Sequence, residues 1–284
     1  MLRLTGNPVD FLANPSISME DRERMMVNFG LDKPMYIQYL LFNKGIFTGD
    51  FGISVRYGGT TAFEVFTERV MATVQLVLSA LAFSMILGLL LGVLSATYPD
   101  SLLDRMGRVL AITGQAIPAF WLGLLFILVF SVTWSILPSA GGLDRVGWKG
   151  LIMPAVSLGW FLVAANMRLV RSAMLEVMSS EYVKMLRAKG LPRSIVIWKH
   201  ALRNAALPVI TLFGVNLALL VGGALITEKI FSWPGIGLLV VEGVLARDFA
   251  VVQTVVFFSA LVIVATNIIV DLAYAWLDPR VRLS

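Results

Sequence analysis

The sequence predicts an all-α fold, a polytopic bundle of transmembrane helices, on three observations. Of 284 residues, 58% are hydrophobic and only 14% charged, whereas a soluble domain carries about 25% charged residues and about 45–50% apolar ones. The charged residues are gathered between long uncharged windows rather than scattered. Lys and Arg are concentrated in alternate segments between those windows, the asymmetry expected of a multi-pass chain.

Positions 70–99, 109–143, 150–167, 204–227 and 249–270 contain no Asp, Glu, Lys or Arg. A bilayer core takes about 20 helical residues at about 1.5 Å each. One central Arg, Lys or Asp costs about 2.5–3.5 kcal/mol, against about 0.3–0.6 kcal/mol gained per Leu, Ile, Val or Phe. The windows therefore predict five spans, near 70–98, 106–134, 150–174, 204–229 and 250–276. They are helices because backbone polar groups in lipid must be satisfied within the segment. The third span is predicted to run past Arg168 and Arg171, whose side chains can snorkel to the interface.

Arg105 and Arg108, the basic residues of 168–203, and Arg280 and Arg282 share one side. The other side holds Arg145, Lys149, Lys229 and Arg247. The positive-inside rule places the first set in the cytoplasm. Residues 1–68 then lie outside, although they are polar and mixed in charge (Asp10, Glu20, Asp21, Arg22, Glu23, Arg24, Asp32, Lys33). No span precedes them to carry them across, so either the topology is inverted or a first span is missing; the favoured expectation is a missing first span, with Met1-Leu2-Arg3-Leu4 as its tail. The predicted organisation is an external N-terminal segment over 1–68, partly folded, and a transmembrane domain over 69–284 with a cytoplasmic loop at 172–208.

The absence of cysteine removes disulfides, thiolate metal sites and cysteine nucleophiles, and a lone His200 removes a multi-histidine metal site. The net charge of +5 reads as basic loops against membrane lipid rather than as a nucleic-acid surface. A membrane-embedded enzyme is one rival class; it calls for a constellation such as paired carboxylates with His, and one His in a basic loop gives no such set, so the expectation is no metal, no cofactor and no enzyme activity. No ionisable group lies at mid-membrane depth, which speaks against a proton-relay carrier. A self-contained secondary transporter or channel is the main rival class; it calls for internal repeats or buried ionisable sites, and the sequence has neither.

The loop 172–208 carries most of the functional information. Ser179 and Ser180 can cap a helix start, and Glu181 in the first turn suits the helix dipole. Tyr182, Met185 and Leu186 sit at i, i+3 and i+4, one apolar stripe. Gly190 suits a left-handed cap and Pro192 blocks continuation. The spacing predicts a short helix at about 181–189, then a second amphipathic segment from Ser194 to Arg203. Such a loop can lie on anionic lipid or dock its apolar face into a cytosolic partner.

Within the spans, Gln75, Ser79, Ser84, Gln115, Asn166, Asn216 and Asn267 are uncharged polar groups. Gln115, Asn166 and Asn216 are the candidates for lining a wet path; bonding across helices as packing glue is the commoner use of such groups. Gly88 and Gly92, and the series Gly214, Ala218 and Gly222, give faces for close helix contact. Pro118 should kink the second span. The Trp-Pro-Gly-rich stretch at 231–249 predicts a short re-entrant or interfacial helix.

The loop resembles the "EAA" loop of ABC-importer permeases: Glu181 and Gly190 match its Glu and Gly, and Leu207-Pro208 resembles its later Leu-Pro. Tyr182-Val183 replace the two alanines, and the Gly to Leu-Pro spacing is longer. That longer form, with His200-Ala201-Leu202-Arg203-Asn204-Ala205-Ala206-Leu207-Pro208, resembles the dipeptide, oligopeptide and nickel branch. Thr48 to Ser54, Gly114 to Gly123, Leu137 to Gly142 and Phe231 to Gly237 resemble further segments of that branch, and residues 1–9 resemble the end of its first span. The resemblance implies a type I importer permease that forms half of a translocation pathway, for di- or oligopeptides or alternatively a nickel complex or glutathione. A second related permease, two cytosolic ATPase subunits and an external solute-binding protein are the implied partners. The implied ATPase-coupling residues are Glu181, Tyr182, Met185, Leu186, Ala188, Gly190, Leu191 and Pro192. No Lys is followed by Ser or Thr, so the chain has no Gly-x-x-x-x-Gly-Lys-[Ser/Thr] phosphate loop and ATP is expected on other subunits.

Overall fold

The computed structural model of the chain describes residues 19–28 and 32–277. The resemblance noted at residues 1–9 lies outside them. In order, the helices are α1 (Met19–Asn28), α2 (Met35–Thr48), α3 (Ala62–Thr97), α4 (Leu102–Ala116), α5 (Ala119–Phe126), α6 (Leu143–Val146), α7 (Lys149–Ser179), α8 (Glu181–Ala188), α9 (Arg193–Ile195), α10 (Leu202–Ala205), α11 (Leu207–Ile230), α12 (Ile236–Leu245) and α13 (Phe249–Leu277). Ile127–Thr133 and Val196–Ala201 are π-helical stretches. Among the described residues the only isolated bridge between extended segments joins Ile53 and Thr61.

The predicted spans at 70–98, 150–174, 204–229 and 250–276 correspond to α3, α7, α11 and α13. α3 begins eight residues before the predicted start. Glu64, Glu68 and Arg69 end the uncharged window but not the helix, because Glu and Arg are good helix formers. Charge marks where the lipid ends; backbone hydrogen bonding continues into water.

The second predicted span, 106–134, is corrected. It is two helices, α4 and α5 with its π-helical extension, bent by 102°. Ile117 is extended at φ −88°, ψ 118°, the conformation that a following proline imposes. Pro118 then opens α5 with φ −62°. The expected kink is thus a bend somewhat past a right angle.

The chain divides into two compact units. One comprises the described residues up to Thr73 together with Pro234–Val262, the other Val74–Trp233 together with the described residues from Ile263. In the first unit, Ala62, Val65 and Phe66 of α3 pack with Leu239 of α12 and Val251 and Val255 of α13. Rings of Phe51, Phe63, Phe66 and Phe258 stack beside them, Phe66 and Phe258 at 4.9 Å between centroids. Buried Asp248 fastens the loop before α3: Ser54 Oγ and the amides of Val55 (3.0 Å) and Arg56 (3.1 Å) donate to it. Tyr57 donates to Glu242 at 2.9 Å, and burial first, then that hydrogen bond, pushes its phenol pKa up. The expected short helix after Trp233-Pro234-Gly235 is α12.

In the second unit α7 is central, packed against α4, α5 and α11. Gly88 and Gly92 bring α3 onto it. A Cβ at Gly88 would lie 2.6 Å from Asn166 Cβ, and one at Gly92 2.6 Å from Val170 Cβ. The Gly-x-x-x-Gly face is therefore a contact within the chain. Gly222 has nothing within 4 Å of such a Cβ; the side-chain positions at Gly214 and Ala218 lie outside the described residues.

Candidate coupling site between α7 and α11

Ser180 leaves α7 extended, at φ −68°, ψ 153°, and its Oγ accepts the Val183 amide, so it caps α8. Glu181 and Lys184 pair at 2.7 Å on the exposed side. At the other end Gly190 is left-handed at φ +75°. Its amide donates to Arg187 O at 2.9 Å, and the Leu191 amide donates to Leu186 O at 3.4 Å. These two bonds form a Schellman stop. Pro192 follows in extended conformation and opens α9.

The inward face of α8 differs from the predicted stripe. Val183 and Leu186 are buried with Val196, flanked by Val177, Met178 and Leu191. Tyr182 and Met185 are exposed, at 39% and 47%. Leu186 thus anchors the helix to its own chain, and the outward apolar groups of α8 are Tyr182 and Met185. The i, i+3, i+4 pattern grouped Leu186 with them because spacing alone does not reveal which side of the stripe the following segment covers. Ala188 is exposed and Leu191 half-buried.

The expected second amphipathic segment is α9, the Val196–Ala201 stretch and α10. Ile197, Ala201 and Ala205 pack against Val93 and Ala96 of α3 and Val170 and Met174 of α7. Tyr182 Oη and His200 Nδ1 are 3.0 Å apart, tying the outer side of α8 to this stretch, where Trp198 and Ile195 are also exposed. Arg193 donates to Thr97 O at 3.0 Å and lies over the Tyr98 ring at 5.1 Å.

Arg171 does not snorkel. Its Nε and Nη2 donate to Asp104 at 2.9 and 3.2 Å. Asp104 is fully buried, also accepts from Ser95 Oγ and from the Asp100 amide at 3.0 Å, and is ion-paired with Arg108 at 3.1 Å. Sequence reasoning missed this cluster. Asp104 and Arg108 are spaced i, i+4 on α4, but Arg171 lies 67 positions from Asp104 and nothing in the sequence links them.

Of the pathway candidates, Asn166 and Asn216 are brought together: both are buried, and Asn216 Nδ2 donates to Asn166 Oδ1 at 3.0 Å. The pair joins α7 to α11 as packing glue does, although Asn166 Nδ2 has no partner. Gln115 sits half-buried next to the end of α4, apart in sequence and element from that pair.

Long apolar helices, a bent pair and a capped amphipathic helix on a basic loop define a membrane-embedded helical protein. A family model described as "Binding-protein-dependent transport system inner membrane component" matches residues 88–283, and the chain belongs to that family. It is 37% identical over 308 residues to the dipeptide transport system permease protein DppB of Escherichia coli (strain K12), covering 98% of this chain and 91% of that protein. It is likewise 37% identical over 285 residues to the oligopeptide transport system permease protein AppB of Bacillus subtilis (strain 168), covering 98% and 90%. The fold is similar to that of the MetNI methionine ABC transporter in inward-facing conformations: TM-score 0.62, 18% identity, 76% of this chain and 97% of that one. The chain is therefore a multi-pass inner-membrane permease subunit of an ATP-driven importer, working with ATPase and binding-protein partners. The rival reading as a self-contained carrier or channel falls with that membership.

Proposed function

We propose that this permease imports di- or oligopeptides, supplying half of the translocation path while a second, homologous permease supplies the other half. An external binding protein delivers the peptide. Two cytosolic ATPase subunits bind and hydrolyse ATP, and one of them grips α8. The observation that supports the docking role is the build of α8. The helix is capped at Ser180, stopped at Gly190 and anchored inward by Val183 and Leu186, so Tyr182 and Met185 remain outward on a rigid base. Two buried side chains of that size contribute about 1.5–3 kcal/mol each, a useful part of the roughly 5.5 kcal/mol needed to switch a two-state path from 1:99 to 99:1. Peptides are favoured as substrate because the relatives named above carry dipeptide and oligopeptide transport in their names.

The test is co-expression with the partner genes, purification and uptake in proteoliposomes. Both ATPase subunits should co-purify with the wild-type complex, and the one held by α8 should be lost from the double variant Tyr182→Ala/Met185→Ala. ATP-dependent uptake should be seen for a labelled dipeptide or oligopeptide. Uptake confined to glutathione or a nickel complex would overturn the peptide assignment, and retention of both ATPases by the double variant would overturn the docking surface.

A further inference from the structure

We infer that the last turn of α3 is where movement of α8 enters the helix bundle, and that Arg193 with the Asp104–Arg171 pair are the positioning residues that fasten it there. The inference rests on the reading of α8 as the docking helix.

Both flanks of α8 grip the same turn. Upstream, Arg171 lies in the closing part of α7 and donates through Nε to Ser95 Oγ at 3.0 Å as well as to Asp104. Downstream, Arg193 is the first residue after the Gly190-Leu191-Pro192 connector and donates to Thr97 O. Ser95 and Thr97 are two residues apart at the end of α3. The Thr97 carbonyl is among the acceptors that a helix C-terminus leaves without an intrahelical donor, and a guanidinium there also suits the helix dipole.

The upstream grip is stiff because of its chemistry. The buried Asp104 carboxylate collects donors from the end of α3 (Ser95), the α3–α4 turn (Asp100) and α7 (Arg171), and an ion pair from α4 (Arg108). Arg171 reaches both carboxylate oxygens through a planar fork, which fixes orientation as well as distance. The downstream grip has little slack. Left-handed Gly190 and Pro192 at φ −55° fix the connector between the stop of α8 and Arg193. Between the grips, Val93 and Ala96 of α3 are packed with Val170, Met174, Ile197 and Ala201. Displacing α8 must then carry the end of α3 with it, and the Gly88 and Gly92 contacts pass the displacement along α7.

The experiment uses the complete importer in proteoliposomes, with Arg193→Gln, Arg193→Lys and Asp104→Asn. In Arg193→Gln, peptide uptake per ATP hydrolysed should fall roughly tenfold while ATP hydrolysis stays within about twofold of wild type and the ATPase subunits still co-purify. Arg193→Lys, which keeps a cationic donor for Thr97 O and the Tyr98 ring, should recover most of the coupling. Asp104→Asn should lower coupling in the same direction. Because the chain has no cysteine, Leu90→Cys and Lys189→Cys can carry spin labels at exposed or largely exposed positions of α3 and after α8. Their separation should be the same in the nucleotide-free and nucleotide-trapped wild type and should shift between those states in Arg193→Gln. Unchanged uptake per ATP in Arg193→Gln with ATPases bound, or a wild-type label distance that changes between states, overturns the clamp and leaves the docking surface standing. Loss of the ATPases from Arg193→Gln also overturns it, by making Arg193 part of the docking surface. Failure of the docking reading shows separately, in the Tyr182→Ala/Met185→Ala variant.

Discussion

Gly190 allows a test in which conformation and crowding separate cleanly. Its φ is +75°, and a Cβ placed there meets nothing within 4 Å. Any cost of substitution is therefore backbone strain rather than collision. For an ordinary L-residue the left-handed region costs about 1–2 kcal/mol, which shifts the population of the correctly stopped loop by about 5–30-fold. Asn tolerates this region better than Ala although it is larger, and a β-branched Val tolerates it worst. Initial uptake rates per complex in proteoliposomes should therefore rank Gly190, Asn, Ala, Val. Amide hydrogen exchange over residues 181–191 should accelerate in the same order. Wild-type uptake in Gly190→Ala would refute the reasoning. So would a ranking by side-chain size, with Asn worse than Ala.

Two further outcomes follow from packing and charge. Asp104→Asn leaves the partly exposed Arg171 and Arg108 guanidinium groups facing a neutral amide, and should cost about 1.5–3 kcal/mol, read as a fall in the thermal unfolding midpoint of the detergent-purified complex. An unchanged midpoint would mean that solvent screens the cluster. Gly92→Ala forces a methyl against Val170, 2.6 Å away, and should cost about 1–3 kcal/mol. Gly222→Ala, with open space around it, should leave stability unaltered in the same assay.

The spans were legible in the sequence because the cost of a charge in lipid confines Asp, Glu, Lys and Arg to the ends of lipid-crossing segments, a one-dimensional signal. The start of α3 was not, because Glu64 to Arg69 are excluded from lipid but not from a helix. Pro118 announced a break, but the size of the turn depends on what α4 and α5 each pack against. In the loop, Ser180, Gly190 and Pro192 were readable since caps are local chemistry. The division of the apolar stripe was not, since Leu186 is turned inward by Val196, ten residues later. The Asp104 cluster was invisible for the same reason at longer range, its acid and its main base sitting on helices separated by a span.

The central claim is that the outer face of α8 meets an ATPase. The most direct measurement is photocrosslinking from a cysteine-linked probe at Met185, in the otherwise cysteine-free chain, within membranes that contain the whole importer. The account predicts a crosslink to an ATPase subunit, with the same probe at buried Val183 giving none. Adducts from Met185 to lipid or to externally added reagents alone would contradict it.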